Sequence, residues 1–152
     1  MLAKNKSSWI LEDYLYIDEA EIDHYENVTG AFAIIFVGDK VLLGYNAWRK
    51  QWELPAGGIE IGETARQAAI RELKEESHQE NHELRFSGLA KIQKPNGLTC
   101  YQAVYVGNHI ELTPFHKCEG DEMEKVLLWD RQKDIGYIDE CDLKILELAL
   151  KN

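Results

Sequence analysis

Cysteine is scarce in this chain: Cys100, Cys118 and Cys141 are its three thiols. They are odd in number, widely spaced and without a CxxC pair. That argues against a disulfide framework or a zinc site and suits a reducing compartment. Long hydrophobic runs are missing too. The longest, Ala31 to Val37, is far too short to span a bilayer, so no membrane partner is expected. Positive charge is outnumbered, with 17 Lys and Arg against 27 Asp and Glu and a formal net charge of −10. A duplex nucleic acid wants a basic face, so no nucleic-acid partner is expected either. Met1 to Ser8 holds two lysines, but acids follow where a signal peptide would need its apolar stretch, and the expectation is a cytoplasmic protein. Internal repeats, low-complexity tracts and Pro/Gly/Ser-rich linkers are also lacking. What remains is an ordinary globular composition, 45% hydrophobic over 152 residues, with room for one domain (1–152) and a real core.

Along the chain, Trp9 to Val28 alternates loosely between apolar residues and acids, as in Tyr14-Leu-Tyr-Ile-Asp and Ile22-Asp-His-Tyr. This reads as one or two short edge strands, an N-terminal extension over 1–28. Thr29 to Val37 is a buried strand, Gly38-Asp39 a two-residue hairpin connection, and Lys40 to Tyr45 the returning strand. Gln51 to Leu54 is a short strand stopped by Pro55-Ala-Gly-Gly, since proline cannot donate a ladder hydrogen bond. Thr64 with Gln67 forms a capping-box pair ahead of a segment of strong helix propensity. Leu84 to Gln93 and Leu98 to Val106 flank Pro95-Asn96-Gly97, where Asn-Gly favours a type I′ turn. Lys125 to Trp129 is a further strand, and Asp139 to Leu150 a closing amphipathic helix. Strands, helix, strands, helix is the order of an α+β domain, with both helices packed on a mixed sheet.

The chemistry concentrates between Gly57 and Gln79. Glu72, Glu75 and Glu76 sit at i, i+3 and i+4 of the helix, within roughly ±60° of one line at about 100° per residue. Ala65, Ala68 and Ala69 continue that line toward the N-terminus. Three acids this close repel, by about 1–4 kcal/mol per pair at ~4 Å depending on the effective dielectric. A Glu-rich helix is ordinarily a solvated face that screens such repulsion. A helix pinned between a Gly-rich loop and a sheet is less free, and a hard divalent cation with oxygen ligands is the obvious relief. Such cations would also let a protein of this charge accept a polyphosphate.

Gly57, Glu63, Arg71, Glu72, Leu73, Glu75 and Glu76 fall where the Nudix box, G-x5-E-x7-R-E-U-x-E-E-x-G-U with U aliphatic, places its Gly, Glu, Arg and aliphatic residues. A chance match is on the order of 10⁻⁵. The segment therefore resembles the Nudix hydrolases, and the likeness extends more loosely over Gly30 to Leu150. Two positions depart: His78 stands for the usual Gly and Gln79 for an aliphatic residue. That Gly normally ends the helix in a left-handed conformation. Either His78 adopts it, or the helix runs on toward Asn81.

The resemblance implies an α/β/α sandwich with a mixed central sheet, a catalytic loop–helix–loop and a C-terminal helix. It implies that Glu72, Glu75, Glu76 and the Ala56 carbonyl hold Mg²⁺, or Mn²⁺, and that Glu63 pairs with Arg71 to orient the acids. Glu72, Glu76, Arg71 and Glu63 would then be catalytic, with a general base on a later loop: Glu122 first, Glu119 second, against a merely solvated acidic turn. Trp48, Arg49 and Trp52, just ahead of the Gly-rich loop, are the substrate-binding candidates, the Arg for phosphate and the Trp rings for a base. The implied reaction is hydrolysis of a phosphoanhydride in a nucleoside diphosphate linked to another group. Two substrate classes compete, a (d)NTP such as oxidised dGTP and ADP-ribose or a nucleotide-sugar. Leu54-Pro-Ala-Gly, the N-terminal extension and Pro95, sixteen residues past Gln79, look more like the ADP-ribose subgroup, although the chain is short for it. The alternative from another class is a non-catalytic nucleotide-binding domain acting as sensor or scaffold. A homodimer is a further expectation of the resemblance.

Overall fold

The computed structural model describes residues 1–151; Asn152, the last residue of the expected domain, lies outside the described residues. In chain order the elements are strands β1 (Ala3–Lys4) and β2 (Ile10–Leu15), a 3-10 turn (Glu19–His24), β3 (Val28–Val37), β4 (Lys40–Asn46), β5 (Gln51–Glu53) and β6 (Ala56–Gly58). Helix α1 (Ala65–Ser77), β7 (Arg85–Gln93), β8 (Thr99–His109), β9 (Met123–Trp129) and helix α2 (Glu140–Ala149) follow. The strands form one sheet in the order β1-β2-β7-β8-β3-β4-β5, with β6 on β3 and β9 on β4. Its β3–β8 pairing is parallel and the other named strand pairs are antiparallel, so the sheet is mixed. No helix among the described residues is long and apolar enough to cross a membrane.

β3 shows why two layers of helix are needed. It is buried from Gly30 to Phe36, and side chains alternate across a strand. Phe32, Ile34 and Phe36 enter one core with Leu43, Val104 and α2 residues Cys141, Ile145, Leu146 and Ala149. Ala31, Ala33 and Ile35 enter the other with Leu89, Tyr105 and α1 residues Ala65, Ala68, Ala69 and Leu73. The result is a sandwich with one helix on each face. On the α1 side alanine meets alanine, which brings the helix close to the sheet and its C-terminal half down beside β6.

Local signals explain most element ends. The Gly38-Asp39 link is a two-residue hairpin, Val37 pairing with Lys40 and Gly38 at φ 64°. Thr64 caps α1: its side chain accepts from the Gln67 amide at 3.1 Å, and Gln67 accepts from the Thr64 amide at 2.9 Å. At the other end His78 itself takes the left-handed conformation, φ 64° and ψ 18°, and its amide bonds to the Lys74 carbonyl at 2.9 Å. The helix stops there and does not continue to Asn81.

Two expectations are corrected. Only the first part of the N-terminal alternation is strand; Ile22 to His24 lie on the 3-10 turn and Tyr25 follows it, the turn being opened by Asp18 and Glu21 as a capping box, a local signal that outcompetes a weak period of two. The Pro95 turn is also not type I′. Gly97 has φ 86° while Asn96 keeps a negative φ, and the Gly97 amide reaches the Lys94 carbonyl at 2.9 Å. That is a three-residue loop, with Pro95 seated where its fixed φ fits.

Because β3 lends side chains to both cores and Ile34 is fully buried, truncating that residue should be costly. Ile34→Ala is expected to lower unfolding free energy by about 2–5 kcal/mol, read as a shift in the urea midpoint at unchanged m-value. A loss under about 1 kcal/mol would contradict this placement of the core.

Candidate active site

β6 is a three-residue strand of Ala56, Gly57 and Gly58, held against β3 at Phe32, Ala31 and Gly30. It delivers the chain to the flank of α1. There the carboxyl of Glu72 lies over Gly57 so closely that a Cβ at that position would fall inside it. Glycine at 57 is therefore a requirement of the acid, not of the turn. The Ala56 amide donates to Glu76 Oε1 at 3.3 Å, which ties the strand to the last acid of the helix.

Arg71 organises the rest. Its Nε and one terminal nitrogen hold Glu63 bidentately at 2.8 and 2.9 Å. The same terminal nitrogen donates to the Gly58 carbonyl at 2.7 Å. The other reaches Glu72 at 2.7 Å and Glu75 at 3.1 Å. One planar guanidinium thus joins the loop, the strand and the helix, a fork geometry that a lysine could not reproduce. The pairing with Arg71, aided by the Glu60 amide, pulls the Glu63 carboxyl down to about 2.

Glu72 and Glu76 are pushed the other way. Burial raises the Glu72 pKa, with Arg71 opposing. Glu76 is 6% exposed, and burial, then the charges of Glu122 and Glu72, push it well above the ordinary carboxylate range. Glu75 is exposed and turned to Arg71. Among the described residues no three such side chains close into a ready-made metal cage. The donor set nevertheless fits a hard divalent cation: oxygen ligands only, two of them held together against burial and repulsion that added positive charge would relieve.

Glu122 arrives from the far side, at the start of β9. Its Oε1 accepts from Arg49 at 2.6 Å and from Asn46 at 3.1 Å. Glu119 lies one turn earlier, exposed. Arg49 also clasps Glu53, at 2.7 and 3.2 Å, so the guanidinium expected to take phosphate is already bonded to two carboxylates. Trp48 projects into solvent, 94% exposed, on the rim of a shallow hollow shared with Arg49, Lys117 and Glu122. Trp52 is instead a core residue. It sits between Gln51 and Glu53 on β5, so when those two face the cleft it faces away, its indole N–H on the Ile135 carbonyl at 2.9 Å and its ring edge-on to Tyr45. It offers no platform for a base.

Beside Glu76 and Ala56 opens a cleft of about 230 Å³ between sheet and α2. The sequence pattern did not point to its polar lining. Gln51 donates to Glu53 at 2.6 Å and to Asp139 at 3.2 Å, and Asn5 donates to Asp139 at 2.9 Å. Asp139 also caps α2 through the Cys141 and Asp142 amides. Asp142 accepts from the Leu54 amide at 2.9 Å, and its burial, together with Asp139, drives its pKa well up. Gln51 Oε1 is buried and has no hydrogen-bond partner among the described residues. These residues are far apart in the chain, so no local spacing announces them.

A family model described as NUDIX domain matches residues 26–137. The chain belongs to the Nudix family. The enzymes of that family are pyrophosphohydrolases, which generally use divalent metals. A search of curated protein sequences finds no match. Among solved structures the Nudix chain resembles the Bacillus subtilis pyrophosphohydrolase BsRppH (E68A mutant), with TM-score 0.73 and 20% identity over 98% of this chain and 92% of that one. It also resembles the NUDIX domain of Shewanella oneidensis NrtR complexed with ADP ribose, with TM-score 0.66 and 18% identity over 89% and 98%. An ADP-ribose pyrophosphatase from Streptococcus suis 89-1591 follows with TM-score 0.60 and 16% identity over 82% and 91%. At these identities the likeness establishes the fold.

The buried acid beside the cleft gives a pH test. A carboxyl whose folded pKa lies above its unfolded value, 3.8 for Asp142, adds stability that is complete below that value and is lost as pH rises through the folded pKa. Asp142→Asn keeps an acceptor for Leu54 and cannot ionise. Its thermal midpoint should gain on the parent as pH rises from about 4 to neutral in metal-free buffer; parallel midpoint curves would refute the assignment.

Proposed function

We propose that this Nudix protein is a Mg²⁺-dependent hydrolase, cleaving a phosphoanhydride in a nucleoside diphosphate linked to another group. The observation that carries the reading is buried Glu76 on the wall of the cleft with half-buried Glu72 beside it, Arg71 bonding Glu72 and locked in turn to Glu63. Glu72, Glu75, Glu76 and the Ala56 carbonyl would hold the cation, with Mn²⁺ as the substitute, and once bound it neutralises phosphate oxygens and acidifies a water. The side chains do the rest. Arg71, fixed by Glu63, keeps Glu72 over Gly57, and the Ala56 amide holds Glu76. Glu122, half-exposed and steadied by Arg49 and Asn46, accepts the proton of the attacking water. Trp48 stands on the neighbouring hollow, which meets the cleft at Arg49, and its ring can stack on a part of the substrate that extends past Arg49.

The cleft also bears on the substrate. Its lining includes the carboxylates of Glu53, Glu76, Asp139 and Asp142, and Gln51 Oε1 is buried beside them without a hydrogen-bond partner among the described residues. A nucleobase that presents N–H groups, such as the amino group of adenine or guanine, answers that need, because a buried acceptor left unpaired is costly. This supports a nucleotide whose base carries an exocyclic amino group and is compatible with ADP-ribose, the ligand of the Shewanella oneidensis structure. A sensor that binds such a nucleotide without turnover is the second reading. Retention of Glu72, Glu75, Glu76 and Arg71 in one bonded cluster favours the enzyme.

Phosphate or AMP release from ADP-ribose, nucleotide-sugars and purine (d)NTPs, ordinary and oxidised, should appear with Mg²⁺ and disappear with a chelator. Glu76→Gln should lower kcat about 100-fold or more. A folded protein that binds these compounds and hydrolyses none would sink the enzymatic reading. Gln51→Leu should lower kcat/KM for the adenine or guanine compound about tenfold relative to its hypoxanthine counterpart; an equal loss on both would remove the acceptor argument.

A further inference from the structure

The two departures from the family pattern, His78 and Gln79, meet the same stretch of chain. We infer that they are positioning residues, which moor the segment 110–122 between β8 and β9 to the exit of α1 and so set where Glu122 stands relative to Glu76. The inference rests on the reading of Glu122 as the proton acceptor.

Gln79 takes a place where an aliphatic side chain would simply pack. It is fully buried, 0% exposed, and a buried amide is costly unless its hydrogen bonds are made. They are made with one residue above all. Nε2 donates to the Thr113 carbonyl at 2.6 Å and Oε1 accepts from the Thr113 amide at 2.8 Å, while Nε2 also reaches the Ser77 carbonyl at 3.1 Å. The side chain therefore behaves as a strand neighbour to Thr113, engaging both its backbone groups. Leucine would fill the space and leave Thr113 unheld.

His78 supplies the second mooring. The left-handed conformation that glycine adopts freely costs another residue about 1–2 kcal/mol. In that conformation the imidazole lies 4.6 Å from the Phe115 ring, centroid to centroid, and Nε2 is 3.2 Å from Asp121 Oδ2. Glycine could make neither contact. The same Asp121 oxygen accepts from the Cys118 amide at 2.8 Å, closing the turn through Gly120. Asp121 precedes Glu122 directly, and His78 follows Glu76 by two residues. Thr113, Phe115 and Asp121 are thus fastened to the helix end that carries Glu76. A segment of this length without regular structure would otherwise have wide freedom.

The test is a double-mutant cycle on whichever substrate the protein turns over. Gln79→Leu should lower kcat about tenfold with KM held within about twofold, since a misplaced reacting group costs rate more than binding. In a Glu122→Gln background the same substitution should change kcat less than about twofold, because the residue it acts through is already disabled. Equal losses in both backgrounds would show a merely structural role, and no loss in either would overturn the inference. His78→Gly, which restores the family glycine and relieves the backbone, should repeat the pattern and decides the matter if Gln79→Leu fails to fold. Hydrogen exchange at the Thr113 amide separates the two failures. If the parent protein hydrolyses nothing, the proposed function falls, yet a Thr113 amide protected in the parent and fast in Gln79→Leu still supports the mooring. One equally fast in both overturns it.

Discussion

A single guanidinium holds the site together. Arg71 bonds Glu63 on the loop, the Gly58 carbonyl on β6, and Glu72 and Glu75 on its own helix. Without it, three helical acids and Glu63 would repel one another, with least screening at Glu76, which burial withdraws from water. With it, one charge is shared among carboxylates that outnumber it, and Glu76 stays uncompensated. That residual imbalance, held in place by packing, is the physical basis for expecting a cation. The bond from Arg71 also keeps Glu72 over Gly57, a position with no room for a side chain.

The fold supplies what Arg71 needs. Alanines at 31 and 33 of β3 face alanines of α1, so the helix lies close to the sheet and Glu72 reaches β6. The opposite face of β3 carries Phe32, Ile34 and Phe36 against α2, which leaves a cleft where Asp139 and Asp142 meet Gln51 and Glu53. The acids of α1 and the acceptors of this cleft therefore meet at Glu76, which lines the cleft beside Ala56 of β6.

The legible parts were those with local signatures. The apolar run through β3, the Gly38-Asp39 hairpin, the Thr64–Gln67 cap and the spacing of Glu72, Glu75 and Glu76 all depend on residues within a few positions of one another. So did the sheet-and-two-helix architecture, since each helix carried its own apolar stripe. The 3-10 turn was not legible, because apolar residues alternating with acids at Ile22 to Tyr25 suit a strand equally well. Gly97 was recognised as a turn residue, but the turn type depended on Pro95, which reshapes the loop. Long-range polar contacts were beyond reach. Arg49 and Glu53 are near neighbours in the chain, but nothing near Arg49 shows that Glu122 will share its guanidinium, and nothing near Gln79 points to Thr113. Trp48 and Trp52 look alike in sequence; strand geometry sends one to solvent and the other to the core.

The claim on which the account rests is that the Arg71-ordered acids hold a divalent cation. Calorimetric titration of the unsubstituted protein with Mg²⁺, and with Mn²⁺ as a stronger reporter, tests it without assuming any substrate. The account predicts saturable binding that weakens about tenfold or more in Glu76→Gln and in Arg71→Lys, with both variants folded. Binding that is absent from the unsubstituted protein, or equal in all three, would contradict it.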